Sequence, residues 1–261
     1  MSDYELINVE VDGPVATVTI DREERRNALS QSTVEELTQA FSSLGEEDEL
    51  RAIVLTGAGE KAFCAGGDLG DQAPSGGPLG MHRGRAAFVE LMLTMSRCPK
   101  PIIARVNGKA LGGGFGLVLN CDLAVAAHDA QFGTPEIKVG LFPMMITAVI
   151  QRNLHRKHAL ELMLTGERID AARALEIGVV NRVADEGDLD GEVQRLVKKV
   201  TAYSPAILAL GRQAFYDTQD MSFEQALRAL HSELTINTLA EDAAEGIMAF
   251  LGKRKPEWKG R

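Results

Sequence analysis

Cysteine is too scarce here to build a framework: Cys64, Cys98 and Cys121 are odd in number and form no CxxC pair. That pattern points to a reducing compartment, and no disulfide is expected. Basic residues are outnumbered, with a formal net charge of -9. This argues against a nucleic-acid partner, because phosphate binding depends on clustered Lys and Arg. A local basic pocket for a phosphorylated ligand stays open. The start of the chain, Met1-Ser-Asp-Tyr-Glu-Leu, carries acid where a secretory leader would carry base, and no apolar segment follows it. The most apolar stretch, Ala110 to Ala127, is broken by Asn120 and Asp122 and is glycine-rich at its start, so it does not read as a membrane span. A soluble cytoplasmic protein without a transmembrane segment is expected.

Several catalytic signatures are missing as well. His155 and His158 share a helix face, but no HExxH pattern or acidic ligand set accompanies them, so no metal site is expected. There is no GxSxG elbow, and Cys64 has no local histidine partner, which leaves it as a small packing residue. Gly57-Ala-Gly59-Glu-Lys-Ala62 loosely matches a dinucleotide fingerprint. It fails on context, because no helix opens there and no strand ending in an acid follows at the usual distance.

What is present is ordinary globular material, 45% hydrophobic and 25% charged. A chain of 261 residues can bury roughly three quarters of its unfolded surface, enough for a core and a formed pocket. Alternating valines in Ile7 to Ile20 around Asp12-Gly13 predict a hairpin. Ser32 and Glu35 predict the capped start of a helix carrying Val34, Leu37, Phe41 and Leu44. Ala52 to Thr56, Pro101 to Val106 and Leu123 to Ala127 read as buried strands. Turns and helices between them argue for parallel α/β architecture. Residues 71–84 mix Gly, Pro and Ser without periodicity and predict a mobile loop over a site, with a helix from Arg85 to Arg97. Ala171 to Ile177 predicts a helix stopped by Gly178, ahead of a strand from Val179 to Val183. Helical periodicity dominates from Leu189 to Leu251, with breaks at Ser204-Pro205 and near Asp220. The expected division is a core over residues 1–188 and a helical oligomerisation region over 189–261.

The informative features are two glycine turns. Ala65-Gly66-Gly67-Asp68 follows one buried strand and Gly112-Gly113-Gly114 follows another, each leading toward a short helix. Backbone N–H groups at such turns can point at an anion, helped by the helix N-terminus. Two of them side by side would make an oxyanion hole. Any one glycine cluster is better explained by a tight turn or close helix packing.

Five segments then occur in a telling order: Phe63-Cys-Ala-Gly-Gly-Asp-Leu, Gly108-Lys-Ala-Leu-Gly-Gly-Gly, Cys121-Asp-Leu, Phe132-Gly-Thr-Pro-Glu136 and Lys255-Pro-Glu-Trp-Lys-Gly. From about Val11 to Gly260 the chain resembles the crotonase (enoyl-CoA hydratase/isomerase) superfamily. The resemblance implies a spiral of ββα turns with a C-terminal helical trimerisation region, assembled as a homotrimer or a dimer of trimers. It also implies an acyl-CoA substrate and no cofactor beyond the coenzyme A carried by that substrate. Its oxyanion donors would be the N–H groups of Gly67 and Gly113, each worth on the order of 3 kcal/mol in the transition state. Coenzyme A would lie along Arg25, Arg26 and Ala28 and near Ala65, Asp68 and Leu69. Lys255 and Lys259 are candidates to reach a neighbour's ligand.

The carboxylates depart from the hydratase pattern. Resemblance places one family glutamate at position 116, which is Gly116 here and counts among the residues binding the CoA thioester, and the second at Glu136. Addition of water is expected to use both, whereas shifting a double bond needs one proton carrier. Glu136 alone therefore favours isomerase chemistry, unless Asp71 or Glu90 supplies a second acid and restores the hydratase reading. Met144-Met145-Ile146 after Pro143 replaces the usual glycine-rich turn, and bulky flexible side chains there would reshape the acyl pocket. A decarboxylase or hydrolase of acyl-CoA could use the same hole. A catalytically reduced subunit with a binding or scaffold role is the alternative of a different class.

Overall fold

The computed structural model describes residues 4–68, 70 and 77–261. Strands β1 (Ile7–Asp12) and β2 (Val15–Ile20) form the expected antiparallel hairpin, turning at Gly13 with φ 54°. Helix α1 (Gln31–Glu46) follows, and its cap is Ser30, whose side chain accepts from the Thr33 N–H. The anticipated Ser32–Glu35 capping box is thus displaced by two residues: Ser30 is the residue held in extended backbone, which is what a cap requires.

From β3 onward the strands alternate between two sheets. β3 (Ala52–Gly57), β5 (Ile102–Val106), β7 (Leu123–Ala126) and β10 (Arg182–Val183) extend the hairpin into a six-stranded sheet ordered β1-β2-β3-β5-β7-β10. β4 (Ala62–Cys64), β6 (Lys109–Leu111), β8 (Gln131–Gly133) and β9 (Arg168–Asp170) form a second sheet in that order. Each turn of the chain thus lays one strand in each sheet before moving on. The pairing is parallel except at β1–β2 and β8–β9. β3 is buried along its whole length, as strands covered on both faces must be. The strand anticipated over Val179 to Val183 shortens to β10, because Val179 and Val180 return their N–H groups to the carbonyl of Ala174.

Helix α2 (Gly77–Arg97) begins before the predicted Arg85, so positions 77–84 are helical rather than loop; 71–76 lie outside the described residues. Buried Phe88, Leu91 and Met95 hold it on the core. Helices α3 (Gly113–Asn120), α4 (Met144–Asn153), α5 (Arg156–Thr165) and α6 (Ala171–Glu176) complete the body.

The helical region opens with α7 (Leu189–Thr201), whose Val193 and Leu196 pack against Val54, Ile103 and Val125 of the main sheet. Helices α8 (Pro205–Thr218), α9 (Phe223–Leu239) and α10 (Glu241–Leu251) extend beyond it. Arg212 of α8 pins this extension to the body. Its guanidinium donates to both oxygens of Asp122 at 2.9 Å, to the carbonyls of Met95 (2.7 Å) and Ser96 (2.8 Å), and to that of Cys98. It thereby satisfies carbonyls that the end of α2 leaves open. By contrast α9 buries nothing, and Phe223, Leu227, Leu230 and Leu234 form one exposed apolar stripe along it.

Candidate active site

The site assembles where three chain segments meet at the ends of parallel strands. The loop after β2 runs against the turn after β4: Ala65 N–H donates to Arg26 O (3.1 Å), Leu29 N–H to Gly66 O (2.8 Å) and Asp68 N–H to Leu29 O (2.9 Å). This ladder engages the groups on either side of Gly67 and leaves the Gly67 N–H without a partner among the described residues.

The turn after β6 lies beside it. A Cβ placed on Gly66 would sit 3.0 Å from Leu111 O and 3.4 Å from Gly113 N, and one on Gly113 would sit 3.8 Å from Gly67 N. The two glycine turns therefore lie against each other, with the Leu29 side chain beside Gly113. Gly112 adopts φ 52°, which an L side chain rarely tolerates, and so turns the strand into α3. Gly113 is the first residue of that helix, where an N–H has no intrahelical acceptor. Gly67 and Gly113 thus place two backbone N–H groups in neighbouring turns.

Glu136 arrives from the third segment. Gly112 N–H donates to Gly133 O (2.9 Å), which ties the end of β8 to the glycine turn. Buried Thr134 anchors the next residue by donating to Leu162 O (2.9 Å), and Pro135 opens a short 3-10 helix, Pro135–Val139. Its first turn sets the Glu136 carboxylate against Gly112, with Oε1 2.8 Å from where a Cβ on Gly112 would be. Oε2 is the one buried side-chain polar atom among the described residues without a hydrogen-bond partner. Burial pushes this carboxyl above the ordinary glutamate range, and a bond from its own backbone N–H only partly opposes that. A half-buried carboxylate with one open, buried oxygen, next to the two glycine turns, is equipped to move a proton on a carbon adjacent to a carbonyl.

The other predicted residues fall nearby with different parts to play. Arg25 and Arg26 are exposed on the loop that touches the first turn, and Ala28 is half-buried there. Asp68 does not offer a free carboxylate to a ligand: it pairs with Arg22 at 3.0 Å and accepts from Gly70 N–H at 3.1 Å. Burial alone would raise its pKa, but Arg22 and the Gly70 N–H hold the carboxyl below the usual range. Arg22, which sequence reasoning passed over, also donates to Ala28 O, so it braces the loop against the turn. Leu69 and Asp71 lie outside the described residues. Glu90 is exposed on α2 and does not stand in as a buried second acid.

Gly116 follows Gly112 by one turn of α3, with its N–H bonded to Gly112 O at 3.0 Å. A Cβ there would meet Ile146 Cγ2 at 2.3 Å, so the place of a second carboxylate is filled by Ile146, with Phe88 just beyond. Of the three residues expected to reshape the acyl pocket, Met144 and Met145 turn outward, 73% and 45% exposed, and Ile146 turns in. The signal for it lay in that three-residue departure, though not in which of the three would point inward. Among the described residues no cluster of His, Cys, Asp or Glu is arranged to hold a metal ion, and no helix is long and apolar enough to cross a membrane.

Two interleaved sheets wound from ββα turns, with paired glycine turns and a half-buried glutamate at the strand ends, define a crotonase-type fold. The chain matches the enoyl-CoA hydratase/isomerase family over residues 10–261, and it belongs to that family. It is 35% identical over 262 residues to an Escherichia coli carnitinyl-CoA dehydratase, covering 98% of this chain and 99% of that protein. It is 33% identical to the mitochondrial enoyl-CoA hydratase domain-containing protein 3 of Mus musculus, covering 94% of this chain and 81% of that one. Among solved structures, an enoyl-CoA hydratase of Mycobacterium smegmatis superposes with a TM-score of 0.94 at 38% identity, over 97% of this chain and 99% of the other. The family acts on acyl-CoA substrates.

Proposed function

We propose that the protein shifts a carbon–carbon double bond along an acyl-CoA, with Glu136 as the single proton carrier and the Gly67 and Gly113 N–H groups holding the thioester oxygen. The observation that carries this reading is the unpartnered Glu136 Oε2, buried next to the paired glycine turns. With a 3-enoyl thioester, the Glu136 carboxylate takes a proton from the α carbon, and the C–H electron pair makes the enolate. Charge collects on the oxygen between the two donors, where each N–H contributes most. When the oxygen returns its pair to the carbonyl, the double bond moves to the α,β position and the γ carbon takes the proton back from Glu136. Nothing is consumed, so the reaction needs no cofactor beyond the coenzyme A already on the substrate.

Glu136→Gln keeps the shape and removes the base. Its loss of turnover on a 3-enoyl-CoA supports the reading; wild-type turnover by this variant on both a 3-enoyl- and a 2-enoyl-CoA overturns it. The second reading is hydration or dehydration, favoured by the names of the relatives, among them a carnitinyl-CoA dehydratase matched over 98% of this chain. Rapid hydration of a 2-enoyl-CoA by the wild-type protein would select it.

In this proposal Arg25, Arg26, Ala28 and Ala65 line the path of coenzyme A, and the enzyme works in a reducing cytoplasm. It assembles as a homotrimer or a dimer of trimers through the exposed stripe of α9 and the apolar surface of α10, where Ile247, Met248, Phe250 and Leu251 are all exposed. Sedimentation at micromolar concentration should show that assembly; a stable monomer refutes it.

A further inference from the structure

Glu136 and Ile146 stand on the same strip of α3. Gly112, Gly113 and Gly116 leave that strip without side chains. The Glu136 carboxylate covers the Gly112 end and Ile146 the Gly116 end. Positions one turn apart on a helix are separated by about 6 Å. Ile146 and Phe88 are both buried, 4% and 7% exposed, and the Gly116 N–H is already bonded to Gly112 O. A held water needs two to four polar partners. Beyond the carboxylate itself, the nearest described side chains at this end of the strip are hydrocarbon, Ile146 and Phe88.

We propose that Ile146 decides which reaction the site performs: it walls off the place one turn of α3 away from Glu136, keeping water out, so that a proton taken from carbon is returned to carbon. The inference rests on the reading of Glu136 as proton carrier and adds the residue that sets the outcome. It also names the substrate class, an acyl chain that is apolar beyond its α carbon, because that part lies on Ile146 and Phe88. Hydration would require a water beside the β carbon, its hydroxyl adding there while the α carbon takes a proton. A side chain at position 116 could hold that water only if Ile146 withdrew.

The test compares the wild-type protein with Ile146→Val, Ile146→Ala, Gly116→Glu and the double variant Gly116→Glu/Ile146→Ala. Turnover of a 3-enoyl-CoA in heavy water is followed by the deuterium content of the product, and a 2-enoyl-CoA is assayed for hydration. Ile146→Ala should raise deuterium incorporation several-fold, whereas Ile146→Val, which keeps the inward methyl, should match the wild type. The double variant should hydrate on the order of tenfold or more faster than Gly116→Glu, whose carboxylate cannot seat against Ile146. Independently of turnover, the Glu136 carboxyl is titrated by infrared spectroscopy, with Glu136→Gln identifying its band. In Ile146→Ala it should titrate nearer to an ordinary glutamate, since water then reaches it. Unchanged deuterium content and an unmoved titration in Ile146→Ala overturn the proposal. Absence of any double-bond shift in the wild-type protein overturns the parent reading instead, and the titration still judges the wall.

Discussion

Replacing Gly113 by proline isolates one hydrogen-bond donor. Gly113 is the first residue of α3, a position where proline's fixed φ suits a helix and where no intrahelical bond uses the N–H. A Cβ at this position would make only ordinary contacts, the nearest being Leu29 Cδ1 at 3.4 Å. Gly112 before it, at φ 52° and ψ -122°, is the mirror image of the extended backbone that proline asks of its predecessor. Folding stability should therefore change little. Catalysis should not survive as well, because the thioester oxygen loses one of its two donors as it gains charge. One such donor is worth about 3 kcal/mol, so kcat should fall on the order of a hundredfold or more. Gly113→Ala keeps the donor but sets a methyl 3.8 Å from Gly67 N, and should lose less. The assay is steady-state turnover of a 3-enoyl-CoA beside urea unfolding of both variants. A proline variant that unfolds like the wild type and turns over within about threefold of it would refute the role of Gly113.

Three other perturbations test the neighbouring structure. Glu136→Gln should lower turnover roughly 10²- to 10⁴-fold. Because burial raises the folded-state pKa of Glu136, the wild-type carboxyl contributes stability below its unfolded pKa and loses it as pH rises through the folded one. The glutamine variant should thus be more stable than wild type at neutral pH, and the gap should close in acid, as thermal melts at several pH values can check. Gly116→Ala should destabilise, since a methyl 2.3 Å from Ile146 Cγ2 overpacks the site by about 1–3 kcal/mol against about 1 kcal/mol gained in helix propensity. The Ile146→Ala background should lessen that cost in urea unfolding, since the nearest remaining atom would be Cβ at 3.0 Å. Arg212→Met should cost about 3–5 kcal/mol, because Asp122 stays largely buried without its cation, and limited proteolysis should then release the segment after Thr201 first.

Much of the architecture is legible in the chain because it depends on local pattern. Continuous apolar runs such as Ala52 to Thr56 demand burial on both faces, and alternation with helices demands parallel pairing. The Ser204-Pro205 break is equally readable, and Ser204 caps α8 as its residue type suggests. Where local rules compete, position slips: Ser30 wins the cap of α1 over Ser32, and the glycine-rich positions 77–84 form the first turns of α2 rather than a loop.

The sequence by itself singled out the residues to which we assign the proposed chemistry: two glycine turns, Glu136, and the missing side chain at Gly116. Each is a matter of residue type at a given place along the chain. Only the tertiary structure decided what surrounds them. Asp68 is engaged by Arg22, 46 residues away, and the space over Gly116 is filled by Ile146, 30 residues on, while the two methionines before it face outward. Such facts depend on how distant segments are brought together, and one inward-facing methyl is invisible to any reading of composition or periodicity. Packing in three dimensions, where a few tenths of an ångström separate contact from clash, decides them.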